Sequence, residues 1–308
     1  MTTTETTERV PVRTSAIGWS LTSWALFASS GPLAKAVMDA GWSPAAVTSA
    51  RITLAAVLLL PIVALVRPWA LRFRLADLWL LLGYGLLGVA GVQLLFFVAV
   101  QQVPVGTAMV LVNLAPVLVA LWVRVVRRTK LPGRVWLGIG LAVAGLAVVA
   151  QLWQVAHPNA LGILAGLGSA VCSAAYFLLG ERGARSHDPA GLTAVGLTIG
   201  AVTVAVFTPP WTLPARLLTA PAVLGGLRTP VCIILLALAV AGTVLPYLAG
   251  LRSLRDLPPT LAGVLAVAEP LIAAALAWLL LGQSLTPAQL AGALTMLLGA
   301  LLVQSATP

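Results

Sequence analysis

Apolar residues run along this chain in blocks, and the charged residues collect in the short stretches between them. A bilayer core takes roughly 20 apolar residues of helix. Ten runs qualify, at 15–38, 44–66, 77–100, 105–126, 134–153, 160–181, 190–208, 229–251, 259–281 and 287–305. The pattern predicts an all-α membrane protein of ten transmembrane helices. The run at 190–208 is rich in Gly and Thr and stops at Pro209-Pro210. Short connections make sequential helices antiparallel neighbours. The longest loop, about 209–228, carries Trp211, Pro214 and Pro221. Residues 1–14 are polar and Thr-rich, too polar for the apolar part of a signal peptide. They are expected to form a disordered cytoplasmic tail.

Composition agrees with lipid as the solvent. Hydrophobic residues make up 60% of the 308 and charged residues only 8%, where a soluble domain carries about 25%. The net charge of +10 does not indicate nucleic-acid binding, because the charges flank apolar runs instead of forming one basic face. With the N-terminus inside, 14 Lys and Arg residues fall in inner segments and only Arg216 and Arg228 in outer ones. That split predicts cytoplasmic termini and a plasma-membrane location. Lys35 and Arg51 remain within helices. Cys172 and Cys232 lie in apolar runs and are expected to be reduced core residues.

An internal repeat is visible at an offset of 154 residues, which brings Gly88 onto Gly242, Pro104 onto Pro258, Pro116 onto Pro270, Leu131 onto Leu285, Gly138 onto Gly292 and Gly145 onto Gly299. Earlier in the chain the offset is 144, pairing Gly18 with Gly162 and Ser29 with Ser173. The repeats are expected at 15–153 and 160–305, five helices in each. Five is odd, so the copies enter the membrane from opposite sides. Inverted repeats of this kind are typical of secondary transporters, because two related halves give two conformations that open to opposite sides.

Residues 258–282 read PPTLAGVLAVAEPLIAAALAWLLLG, and 285–303 read LTPAQLAGALTMLLGALLV. The first half has PVGTAMVLVNLAPVLVALW at 104–122 and glycines at 138 and 145. These segments resemble the EamA-type transporters of the drug/metabolite transporter superfamily, over nearly the whole chain. The resemblance implies the ten-helix inverted-repeat fold and export or exchange of small metabolites, amino acids being the usual substrates. Such proteins commonly have a glutamate after the glycine that ends the fourth and ninth helices, where this chain has Thr129 and Gln283. A mechanism that needs a charged pair at that end therefore does not carry over.

Glu269 is the one acidic residue deep in an apolar run, followed by Pro270; its repeat counterpart is Ala115. A charged carboxylate at the centre of a bilayer costs about 2.5–3.5 kcal/mol on insertion scales, so this one faces protein or water. A proline leaves a carbonyl one turn back unpaired, which suits a ligand site. Glu269 is read either as a proton or substrate-ammonium site or as an Arg-paired carboxyl that locks helices. Arg51 is a candidate for a substrate carboxylate or for Glu269. Lys35 is a candidate ion-pair residue, or an anchor helped by Asp39 one turn on. Trp24, Tyr84, Gln93, Asn113, Tyr176 and Tyr247 are candidate substrate contacts, together with Trp19, Ser23 and Thr243. Such groups point inward in lipid and as a set predict a polar central cavity. Gln93 and Tyr247 are counterparts in the repeat. Trp42, Trp69, Trp79, Trp136, Trp153 and Trp211 lie near helix ends, where aromatic belts form.

His157 and His187 lie in loops without metal spacing, and no ATP-binding loop or nucleophile motif occurs. No catalytic residue, metal or cofactor is expected. The expected partners are a small-molecule substrate, the lipid bilayer and protons as a coupling ion. The function read is a secondary transporter working by alternating access. A membrane-embedded enzyme for lipid-linked substrates would instead show acids or histidines clustered at one face. A non-transporting structural partner would have an entirely apolar interior.

Overall fold

The computed structural model describes residues 14–103, 105–149, 159–281 and 286–306. The tail expected at 1–14, apart from its last residue, lies outside them. So do Pro104, residues 150–153 at the end of the first repeat, Trp153, His157, Gln283 and Leu285.

The first half comprises α1 (Thr14–Asp39), α2 (Pro44–Val66), α3 (Leu78–Gly83), a π-helical stretch (Tyr84–Gly91), α4 (Val92–Gln102), α5 (Val105–Val112), α6 (Ala115–Val125) and α7 (Gly133–Val149). The second half comprises α8 (Ala160–Ser186), α9 (Pro189–Phe207), strands β1 (Pro221–Leu224) and β2 (Leu227–Pro230), α10 (Val231–Ala239), a second π-helical stretch (Val240–Val244), α11 (Leu245–Leu254), α12 (Pro259–Leu265), α13 (Ala268–Leu281) and α14 (Pro287–Ala306). Six helices among the described residues are long and apolar enough to cross a membrane, and shorter apolar helices lie beside them. The chain is a multi-pass membrane protein.

Local chemistry sets the ends. The Ser43 hydroxyl accepts the Ala46 N–H at 3.2 Å, with Pro44 in the first turn of α2. The Asn159 and Asp188 side chains each accept an N–H at 2.8 Å at the starts of α8 and α9. These satisfy donors that a helix start leaves unpaired. Proline sets the internal breaks. Pro116 has no N–H for the Val112 carbonyl, and α5 stops at Val112; Pro270 likewise has none for Ala266, and α12 stops just before it. The runs at 105–126 and 259–281 are therefore each two helical segments. The run at 229–251 begins as helix only at Val231, because residues 227–230 pair with 221–224 in an antiparallel hairpin.

The two halves interleave. α1 packs along α11 and α13, α2 along α9, α4 along α8, and α7 along α14. The α7–α14 seam depends on glycine. A Cβ on Gly138 would stand 2.6 Å from the Gly299 carbonyl oxygen, and one on Gly145 2.6 Å from that of Gly292. Backbones this close leave no room for a side chain.

A separate small core lies where the 209–230 connection folds back. Leu213, Leu217, Leu218 and Ala222 pack on Val37, Val47, Ile234 and Trp42. Trp42 is only 4% exposed, so it belongs to this cap and not to a lipid-facing belt. Trp69, Trp79 and Trp211 are exposed. Cys172 is buried but Cys232 is exposed, which corrects the expectation that both are core residues: Cys232 faces outward from the start of α10.

Candidate functional site

Five aromatic side chains close a ring in the middle of the bundle. Centroid separations run Trp24–Phe27 5.5 Å, Phe27–Tyr247 5.2 Å, Tyr247–Tyr176 5.7 Å, Tyr176–Phe177 5.3 Å and Phe177–Trp24 6.0 Å. Tyr84 stacks on the outside of Tyr176 at 5.8 Å. The ring is drawn from α1, α8 and α11, with Tyr84 from the first π-helical stretch. π-Helical turns are rare and recur at functional sites. Here the Gly88 carbonyl within that stretch accepts the Tyr247 hydroxyl at 3.4 Å.

Charge and polarity lie beside the ring. Gln93 lies beside the Tyr247 hydroxyl. Arg51 on α2 and Glu269 at the start of α13 are electrostatically coupled to each other and to Tyr247. Arg51 is 8% exposed, and its Nε has no hydrogen-bond partner. No ion pair within 4 Å joins it to Glu269 among the described residues. The hydroxyls of Tyr84 and Tyr176 are also buried without a partner. Three buried donors are thus unused, where buried polar groups are nearly always paired.

The fold therefore brings together Trp24, Tyr84, Gln93, Tyr176, Tyr247, Arg51 and Glu269. Two candidates lie elsewhere. The Lys35 ammonium is 3.1 Å from Asp39, and the Lys35 side chain is 51% exposed near the end of α1. Asn113 donates to the Met109 carbonyl at 2.9 Å and lines a small apolar space with Ile139, Leu146 and Val264. Ser23 donates to the Pro246 carbonyl at 2.7 Å, and Thr243 to that of Leu238 at 3.0 Å within the second π-helical stretch. Trp19 is exposed, with the Arg252 guanidinium 5.1 Å above its ring. The crevice beside the aromatic ring is too narrow for a water-sized sphere. The rings of Trp24, Tyr176 and Phe177 line that crevice and narrow it.

Sequence reasoning missed three residues. Phe27 and Phe177 complete the ring. A screen for polar groups passes over them, although Phe27 is one turn from Trp24 and so shares its face. Glu181 is the third. Its side chain is 4% exposed and clasped by Arg127 at 2.6 and 3.3 Å and by Arg185 at 3.1 Å. It stands at the last position of an apolar run, where an acid reads as an interface residue. The i,i+4 spacing to Arg185 is the available signal. The same end holds an Arg67–Asp188 pair at 3.6 Å and a His187–Asp77 contact at 3.1 Å.

Comparison with known proteins agrees with this architecture. The EamA-like transporter family model matches twice, at residues 14–151 and 160–305. The chain is 35% identical over 262 residues to the threonine/homoserine exporter RhtA of Escherichia coli (strain K12), covering 84% of this chain and 80% of that protein. The RhtA of Salmonella typhimurium (strain LT2) is 34% identical over 266 residues, covering 85% and 82%. The uncharacterized transporter YwfM of Bacillus subtilis (strain 168) is 28% identical over 232 residues, covering 75% and 74%. A solved crystal structure superposes with a TM-score of 0.73 at 20% identity, covering 96% of this chain and 98% of its own, so the fold is shared. With both halves matched by one transporter family and the relatives aligned over most of their length, the chain belongs to the EamA-like transporter family.

Proposed function

We propose that this protein exports small amino acids of the threonine and homoserine kind across the plasma membrane by alternating access, without ATP. The observation that carries this is the similarity to threonine/homoserine exporters over 84% of the chain. The site supports it with one buried cation, Arg51, and one nearby acid, Glu269. An amino acid is a zwitterion. Its carboxylate suits a guanidinium in a low-dielectric interior. Its ammonium suits a carboxylate flanked by aromatic faces.

The ten-helix reading, as two inverted five-helix repeats at 15–153 and 160–305, also belongs to this proposal. Several pairings suit a pseudo-two-fold axis in the membrane plane. The counterparts Gln93 and Tyr247 lie beside each other. Gly138 meets Gly299 while Gly145 meets Gly292, which is the exchange such an axis produces. The π-helical stretches contain the counterparts Gly88 and Gly242, and the helix breaks precede the counterparts Pro116 and Pro270. The charge split supports cytoplasmic termini and a cytoplasmic α8–α9 turn. Protons are the proposed coupling ion, with Glu269 as the site.

The test is uptake of labelled threonine and homoserine into proteoliposomes of the purified protein, with and without a pH gradient. Saturable flux supports the reading, and flux insensitive to the gradient removes proton coupling from it. Absence of flux for every amino acid tried would defeat it.

A further inference from the structure

A narrow crevice opens on one side of the aromatic ring, lined by Ser20, Trp24, Tyr176, Phe177, Gly250 and Ser253 among others. The Tyr176 hydroxyl faces Gly250: a Cβ built there would stand 2.5 Å from that oxygen and 3.1 Å from the Ser23 hydroxyl. Two neighbouring hydroxyls already donate. Ser23 bonds the Pro246 carbonyl and Ser253 the Gly250 carbonyl, each at 2.7 Å. Tyr176, 6% exposed, has no partner. A buried hydroxyl left unpaired costs a fold about as much as a broken hydrogen bond, so its retention calls for a partner that arrives from outside.

We infer that this crevice is the side-chain subsite of the transporter, that Tyr176 is its specificity-determining residue, and that it hydrogen-bonds a hydroxyl on the amino-acid side chain. The inference rests on the proposed amino-acid export and adds to it the feature by which substrates are selected. Arg51 and Glu269 address the backbone charges that all amino acids share, so they cannot tell one side chain from another. The Tyr176 phenol can. The lack of a side chain at Gly250 is what lets the Tyr176 hydroxyl reach this crevice, because a Cβ there would stand 2.5 Å from its oxygen. The aromatic walls of Trp24 and Phe177 accommodate the carbons of a short side chain. The crevice is too narrow for a substrate in this conformation, and the proposed alternating access is what widens it.

Threonine and valine have nearly the same shape and differ by a hydroxyl in place of a methyl. Homoserine and 2-aminobutyrate differ by the hydroxyl alone. Proteoliposomes of the full-length protein and of Tyr176→Phe are supplied with each of the four. The wild type is expected to favour the hydroxylated member of each pair by about five- to tenfold in kcat/KM, the scale of one neutral hydrogen bond. In Tyr176→Phe the ratio falls towards one while valine flux persists. A ratio that Tyr176→Phe leaves unchanged, or a uniform fall for all four substrates, overturns the inference in favour of a packing role. Competition on the wild type alone keeps the idea testable if the variant does not fold. There, valine and 2-aminobutyrate must compete with labelled threonine more weakly than homoserine does. Equal competition overturns the subsite but leaves amino-acid export standing, whereas absence of any amino-acid flux removes the export reading itself.

Discussion

Glu181 and Glu269 are both acids inside the bundle, and their surroundings differ in kind. Glu181 lies where α8 approaches the α8–α9 turn, gripped by two arginines at 2.6–3.3 Å, one from each half of the chain. Glu269 lies beside the aromatic ring and senses Arg51 without forming an ion pair within 4 Å. The first acid is fully engaged and holds two halves together. The second is held near a cation that makes no ion pair among the described residues. A closed ion pair is a structural device, whereas the separated Arg51 and Glu269 are the groups proposed to meet the substrate.

That contrast is open to direct attack. The largest expected effect is on transport at the poised site. Glu269→Gln and Arg51→Lys should each lower amino-acid flux by about tenfold or more, the scale of a lost charge-assisted contact. Their unfolding temperatures should stay near that of the wild type. A Glu269→Gln protein with full flux that still responds to pH would remove the proton-site role. Next is the seam between halves. Gly145→Leu places a side chain against the Gly292 carbonyl and Met296, and should destabilise the protein by about 3 kcal/mol through overpacking. Thermal unfolding in detergent reads this directly, and an unchanged transition would mean that α7 and α14 can separate freely.

Glu181→Gln comes third. It leaves Arg127 and Arg185 without their carboxylate, but their exposure of 40% and 55% lets water screen them. A loss of about 2 kcal/mol follows, below that for a fully buried pair. Flux per folded molecule should change little. A flux defect as deep as that of Glu269→Gln, at normal stability, would erase the distinction between the two acids. The smallest effect belongs to Lys35→Ala, whose exposed i,i+4 pair with Asp39 contributes about 0.3–0.5 kcal/mol. Its threonine uptake should match that of the wild type.

Much of the architecture was legible in the sequence because lipid imposes a simple rule: every backbone group pairs within its own helix, so apolar runs mark the helices. α2 was read to the residue, at Pro44–Val66, and α1 and α14 to within one residue at each end. Departures occur where something other than hydropathy decides. α8 continues to Ser186 because Arg127 and Arg185 neutralise Glu181, a partnership invisible to an average over a window. The hairpin at 221–230 depends on the turn at Gly225 and Gly226, both at positive φ. The breaks before Pro116 and Pro270 were implied by those prolines, yet each run was still counted as one helix.

The sequence by itself determined the helical runs, the repeat, the charge asymmetry and the few polar residues that cannot face lipid. Each follows from how a residue interacts with solvent or with its near neighbours in the chain. Only the tertiary structure decided that Phe27 and Phe177 join the three tyrosines, that Tyr247 meets Gly88 and Gln93, and that Lys35 and Asn113 stand apart. Those contacts join residues up to about two hundred positions apart, through helices whose rotation is set by packing. A bilayer tells a helix how long to be, but it does not tell it which face to turn inward. That choice comes from glycine seams such as Gly145–Gly292 and from the aromatic ring itself.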